Sequence, residues 1–317
     1  MKKYLNNQLN YLTMNKYVIV ITAQEDIFLP AYKGSTFRGG FGNAFKKICC
    51  IQRHSECVKC ILRDKCAYSF IFESSPLSDS QKLKNLEEIP RPFVIEPPLA
   101  KETKYHAGDI LKFGLILFGK AVEFLPYMIY TFAELGKIGI GKGRGKFELK
   151  EVLDITGKVI YDSQTGVLKN TIKEAILSDS EESCLYNSLK INFLTPTRIK
   201  FNGHYTSNPE FHILFRTLLR RISNLMYFYC GKSLDINFKE TISQSERIKI
   251  KNINVKWHDW ERYSSRQNTR MSLGGFVGEA EYSGDIMPFM PFLRLGEYTH
   301  IGKNCTFGLG KYEIGKN

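Results

Sequence analysis

No apolar run in the 317 residues approaches the roughly 18 that a membrane-crossing helix requires. The amino terminus, M-K-K-Y-L-N-N-Q-L-N, lacks the apolar core of a secretory signal, so a cytoplasmic protein with no membrane partner is expected. Acidic residues are in deficit: 32 Asp and Glu face 45 Lys and Arg, giving a formal charge of +13. A chain so short of negative charge points to a polyanionic partner, nucleic acid before membrane. Hydrophobic content of 43% and charged content of 24% are ordinary for a globular protein. The length accommodates two domains.

Cysteine is not scarce, and its placement is uneven. Cys50, Cys57, Cys60 and Cys66 follow the spacing C-x6-C-x2-C-x5-C, with Cys49 able to replace Cys50. In a reducing compartment such crowding points to metal rather than disulfides. The C-x2-C pair suits a turn that aims two thiolates at one ion, and two further thiolates complete a tetrahedron. Structural zinc is the expectation, with an iron–sulfur cluster or free thiols as alternatives.

The chain repeats itself. Gly143-Arg144-Gly145-Lys146-Phe147-Glu148-Leu149 matches Gly308-Leu309-Gly310-Lys311-Tyr312-Glu313-Ile314. Upstream, Ile140-Gly141-Lys142 matches Ile301-Gly302-Lys303, and Leu135-Gly136 matches Leu295-Gly296. Further up, Gly119 precedes Phe124-Leu125-Pro126 as Gly284 precedes Phe289-Met290-Pro291. Two copies of one domain, each closing in a glycine loop and a strand, explain these ordered matches. Glycine permits positive φ and close approach of a ligand, so converging N–H groups can hold a phosphate. The alternative is a tight turn that binds nothing.

Hydrophobic periodicity predicts strands at 17–23, 68–73, 91–98, 110–118 and 146–154 in the first half. Helices are predicted from a Ser35 or Thr36 cap through Phe37, Phe41, Phe45 and Ile48, and over 121–135. That order fits a ferredoxin-like βαββαβ unit. The stretch 74–88 reads as an exposed insertion, and 155–187 as a linker with room for a hairpin. The second half predicts a strand over 188–201, a long helix over 209–230, strands near 248–257 and 274–282, and a short helix over 288–295. Domains are thus expected at 1–165 and 185–317, with the cysteine insertion near 49–67.

RNA-binding candidates are Lys142, Arg144, Lys146, Gly302, Gly308, Gly310 and Lys311 in the glycine loops. Arg216 and Arg220 flank the long helix. Arg262, Arg266 and Arg270 mix with Trp257, Trp260 and Tyr263 in a pattern suited to stacking single-stranded bases and gripping phosphates. The same tryptophans also suit the core of a strand pair.

The segments G-S-T-F-R-G-G-F-G, C-A-Y-S-F-I-F-E, R-P-F-V-I-E-P-P, G-I-G-K-G-R-G-K-F, W-x2-R-Y-S-x-R-Q and the terminal H-I-G-K-x2-T-F-G-L-G-K-Y resemble one family. It is that of the CRISPR-associated precursor-crRNA processing endoribonucleases of the RAMP superfamily, the sixth Cas family, closest to the carboxy-terminal-domain type. The resemblance spans about residues 17–315. It implies an α+β chain of tandem ferredoxin-like, RRM-related domains that binds CRISPR repeat RNA as monomer or homodimer, within or outside an effector complex. It implies one metal-independent cut per repeat, in which the ribose 2′-hydroxyl attacks the adjacent phosphate. Any zinc is then structural. A non-catalytic RAMP subunit gripping crRNA is the alternative. Many members carry a catalytic histidine near the first helix, yet no histidine lies between Met1 and Arg53 here. The matching place holds Tyr32, Lys33 and Arg38. The other catalytic candidates are His300, with Tyr298 and Lys303 alongside it.

Overall fold

The computed structural model describes residues 8–52, 56–74, 89–169, 188–259, 261–264 and 269–315. Of the expected insertion 74–88 only Ser74 lies among them; the rest of it, most of the linker (170–187), Trp260 and Arg266 lie outside. The chain divides into two compact units. One comprises Thr13–Ala175 with Phe228–Cys230; the other comprises Met1–Leu12, Ile176–Tyr227 and Gly231–Asn317. Residues 8–12 therefore group with the carboxy-terminal unit, which sequence order does not suggest.

The amino-terminal unit is built from β1 (Met14–Ala23), β2 (Ile27–Phe28), α1 (Gly34–Cys49), α2 (Ala67–Phe72), β3 (Phe93–Glu96), β4 (Lys104–Tyr105), β5 (Ile110–Phe118), α3 (Leu125–Ile138), β6 (Phe147–Asp154) and β7 (Val159–Asp162). Its main sheet has the order β3-β5-β1-β6-β7, antiparallel throughout. Without the β7 hairpin arm this is the four-strand order of a ferredoxin-like unit. Phe37, Phe41 and Phe45 recur at helical spacing on α1 and are fully buried. The Phe41 ring lies 4.9 Å from Phe132 of α3 and 6.1 Å from Phe93 of β3, which fastens the helix pair to the sheet. Burying side chains of this size contributes about 2–3 kcal/mol each.

Two local expectations are corrected. Residues 68–73 are not a strand: Tyr68, Ser69, Ile71 and Phe72 are buried at i, i+1, i+3 and i+4, a helical face, and Ala67–Phe72 forms α2. The cap of α1 is neither Ser35 nor Thr36; the helix starts at Gly34 after Lys33, with no side-chain cap.

The carboxy-terminal unit contains β8 (Ser188–Thr197), β9 (Ile199–Phe201), β10 (His204–Thr206), α4 (Phe211–Cys230, its last three residues grouping with the other unit), α5 (Phe238–Ser245), β11 (Lys249–His258), β12 (Glu261–Ser264), β13 (Thr269–Ser272), β14 (Gly275–Ser283), α6 (Met290–Thr299) and β15 (Tyr312–Ile314). Its sheet order, β11-β14-β8-β15, repeats the ferredoxin-like arrangement. The expected strand 188–201 is split: β8 joins the main sheet, while β9 pairs only with β10. Phe215 of α4 packs edge-on against Phe289 and Phe292 at 4.7 and 5.3 Å.

Candidate nucleic-acid interface

Each unit ends alike. A 3-10 turn leads into a helix with proline in its first turn (Pro126 or Pro291), where the missing N–H costs nothing. The helix ends at a residue of positive φ, Gly139 (83°) or His300 (58°). The chain then loops into β6 or β15, each paired with the first strand of its unit. The Ile140 N–H donates to the Gly145 carbonyl, and the Ile301 N–H donates to the Gly310 carbonyl, both at 3.0 Å. The Lys142 N–H donates to Phe28 and the Lys303 N–H to Arg198, both at 2.9 Å. The sequence repeat is thus a structural repeat that keeps these two pairs of hydrogen bonds. The second loop is longer and winds its extra residues into a 3-10 turn, Cys305–Phe307.

The glycines answer first to the protein's own backbone. A Cβ on Gly141 would sit 2.1 Å from the Phe28 carbonyl oxygen, and one on Gly302 would sit 2.5 Å from that of Arg198. On Gly310 it would lie 1.8 Å from the Ile301 oxygen. These positions need glycine whether or not a ligand binds. Gly143 differs: its φ is 83° and a Cβ there would meet nothing within 4 Å, so the first loop is open at that point.

The loop cations have separate fates. Lys142, Arg144 and Lys303 are exposed. Lys146 pairs with Glu25 at 3.3 Å, and Lys311 is half-buried. Arg216 and Arg220 are both exposed, one turn apart on α4, and Arg216 lies 5.7 Å from the Phe201 ring. Arg262 and Arg270 occupy facing strands of the β12–β13 hairpin, in register with Met271 and Tyr263. Trp257 is 38% exposed, and its indole N–H donates to Asp259 at 2.7 Å, so it is a surface residue and not core. One further candidate gives no sign in the sequence. Arg198 stacks on Tyr205 at 3.9 Å while its main chain anchors the second loop. An isolated arginine between two strands carries no motif.

His300, the catalytic candidate of the second loop, is enclosed. The side chain is 0% exposed, and Nδ1 lies 3.0 Å from the Leu309 carbonyl oxygen. A base must come within hydrogen-bond reach of the proton it takes, so a catalytic role for this ring requires the loop that closes it in to open. Lys33 is enclosed as well. It is 0% exposed, its ammonium donates to the carbonyls of Ala100 (2.6 Å) and Ala31 (3.3 Å), and burial pulls its pKa below the ordinary lysine value. It ties the chain ahead of α1 to the segment before β4. Arg38 packs over the Phe72 ring at 4.1 Å. Tyr32 and Tyr298 are half-buried.

The cysteines lie at the end of α1, around two 3-10 turns, and at the start of α2. Burial, then the neighbouring Cys66 and Cys50, push the Cys49 thiol up to about 11. Burial, then Glu73, raise Cys57, with Cys50 and Cys66 also close enough to act on it. Cys49, Cys50, Cys57 and Cys66 therefore share one neighbourhood. Cys60 instead turns its Sγ to the Gln52 side-chain oxygen at 3.6 Å. The donor chemistry fits zinc. The arrangement does not converge: among the described residues no three His, Cys, Asp or Glu side chains stand ready to hold one ion.

The fold and its paired loops define a class: tandem ferredoxin-like proteins with a basic glycine loop on each unit. Comparison with known proteins narrows it. Residues 12–173 match the family model AF_1859_N, an N-terminal domain, and residues 191–312 match that of the CRISPR-associated endoribonuclease Cas6. An uncharacterized protein of Archaeoglobus fulgidus is 28% identical over 298 residues, covering 90% of this chain and 92% of its own. Among solved structures, a Cas6 (TTHB231) product complex aligns with a TM-score of 0.57 at 15% identity, over 95% of this chain and 99% of that one. Thermus thermophilus Cas6 (TTHB231) aligns at 0.54 and 14% identity, over 96% and 98%. A Cas6 (TTHA0078) product complex aligns at 0.52 and 15% identity, over 96% and 100%. The amino-terminal half thus belongs to the AF_1859_N family, the carboxy-terminal unit matches the Cas6 endoribonuclease model, and the chain shares its fold with the solved Cas6 proteins. Among the described residues no helix is long and apolar enough to cross a membrane.

Proposed function

We propose that the protein binds CRISPR repeat RNA and cuts precursor crRNA once within each repeat, without a catalytic metal. The observation that carries this reading is the Cas6 match over 191–312, which takes in the second glycine loop with its exposed Lys303. In the reaction the 2′-hydroxyl oxygen attacks the adjacent phosphorus and gives up its proton. The 5′-oxygen leaves and takes one. The products are a 2′,3′-cyclic phosphate and a 5′-hydroxyl. Without an accessible histidine on either loop, tyrosine and cationic side chains are left to orient the hydroxyl and neutralise the phosphorane. Tyr32 and Arg38 serve that role in one unit, Tyr298 and Lys303 in the other. A catalytic His300 requires the second loop to open. Zinc at the cysteine cluster, held by Cys57, Cys66, Cys60 and either Cys49 or Cys50, would be structural and takes no part in the cut.

The burial of His300 supports a second reading, a non-catalytic RAMP subunit that holds crRNA in an effector complex. One experiment separates them. Purified protein is incubated with the host's own repeat RNA in EDTA, and the termini are analysed. The endoribonuclease gives cyclic-phosphate ends, and a 2′-deoxy at the scissile nucleotide stops it. Intact RNA that is bound but never cut selects the second reading. Cleavage of the 2′-deoxy substrate refutes internal attack.

A further inference from the structure

Between the outer face of α1 and the end of α3 lies a cleft of about 560 Å³, wholly within the amino-terminal unit. Its floor is apolar: Ala44, Leu135, Ile138 and Ile140. Its rim is polar: Thr36, Asn43 and Lys47 from α1, and Arg144 from the first glycine loop. Among the described residues none of these four side chains has a hydrogen-bond, ion-pair or ring partner. That sets them apart from nearby Lys137, which is bound to Glu134 at 2.6 Å, and from Lys146, bound to Glu25. Gly40 lets α1 approach α3 closely at the cleft floor, where a Cβ would lie 3.1 Å from Leu135. Arg144 is itself held at φ 55°, uncommon for a residue with a Cβ.

We infer that this cleft takes one unpaired nucleotide of single-stranded RNA. The volume falls within the range of small-molecule sites, where an apolar floor buries a flat ring and a few polar groups fix its orientation. Lys47 and Arg144 hold the flanking phosphates. The Asn43 amide and Thr36 hydroxyl offer donors and acceptors to the edge of the base, so the site discriminates among bases as well as binding them. The inference builds on the RNA-binding reading above and adds to it a site on the other unit from the terminal loop.

The test uses the full chain, a fluorescent single-stranded repeat RNA and anisotropy across a salt series. For single strands the slope of log K against log salt is about −0.7 per phosphate contact. Lys47→Ala with Arg144→Ala removes two contacts. The slope then flattens by about 1.4, and affinity at about 0.1 M salt falls about 25-fold. Both side chains are exposed, so the melting temperature should hold; Arg144→Gly, which suits the positive φ, repeats the arginine deletion without backbone strain. A 4-thiouridine placed along the RNA should crosslink to the peptide containing Asn43 at one position only. Lys303→Ala with Lys311→Ala is the control. If the control weakens binding while the cleft variants keep wild-type affinity, slope and no crosslink at Asn43, the cleft inference is overturned and RNA binding stands. If the wild type binds no RNA, both fall.

Discussion

Replacing His300 decides what the second glycine loop uses that residue for. In the structure His300 ends α6 at φ 58° and ψ 173°, a region that glycine tolerates and other residues scarcely enter. The repeat places Gly139 in the equivalent position of the first loop. Holding a Cβ there costs about 1–3 kcal/mol. The ring offsets that by burial and by its contact with the Leu309 carbonyl. His300→Ala keeps the strained Cβ and loses both gains. The cavity left by a buried ring costs on the order of 3 kcal/mol, and the unpaired carbonyl adds about 1 kcal/mol. His300→Gly loses the same contacts but releases the strain, against about 0.5–1 kcal/mol for glycine's greater freedom when unfolded. Glycine should therefore be more stable than alanine by about 1 kcal/mol, the reverse of their order in a helix. Urea denaturation measures the difference, and single-turnover cleavage well below both melting points measures catalysis. Both variants should cut at near the wild-type rate once folded. Alanine equal to or more stable than glycine refutes the strain argument. A folded His300→Ala protein that cuts about a hundredfold slower, the scale of a lost general acid–base group, refutes the structural reading and restores His300 as the base.

Two further outcomes are expected. Elemental analysis of the purified protein should find about one zinc per chain, and Cys57→Ser with Cys60→Ser should release it and lower the melting temperature; metal-free protein with unchanged melting rules the site out. Asp26 accepts from Lys104 at 3.0 Å and meets His106 at 3.2 Å, and the Lys104 bond is the largest influence holding its carboxyl below the ordinary 3.8. A lowered carboxylate binds its proton more readily in the unfolded chain, so its contribution is intact above about pH 4 and is lost as pH falls through the lowered native value. Wild type and Asp26→Asn should then differ at neutral pH and converge under acid; a constant gap across the titration refutes the pairing.

The sequence alone determined the architecture because the architecture is written twice. Gly139 to Phe147 and His300 to Tyr312 carry the same motifs in the same order, the second with four more residues, which a repeated helix–loop–strand closure explains, and the shared hydrogen bonds of Ile140 and Ile301 follow from it. Periodicity located α1, α3, α4 and the main strands, since a face of Phe37, Phe41 and Phe45 has only one helical solution. It failed at 68–73, where a short apolar run fits strand and helix alike and packing against Phe45 and Phe93 decides for helix. The site was less legible. A histidine in a glycine loop looks reactive in one dimension. Only the tertiary structure shows its ring closed beneath Leu309, and Lys33 spent on two carbonyls. Likewise Thr36, Asn43 and Lys47 form no motif with Arg144, about a hundred residues away in the chain. Their meeting depends on α1 lying against α3, a contact set by Gly40 and Leu135 and by no local pattern.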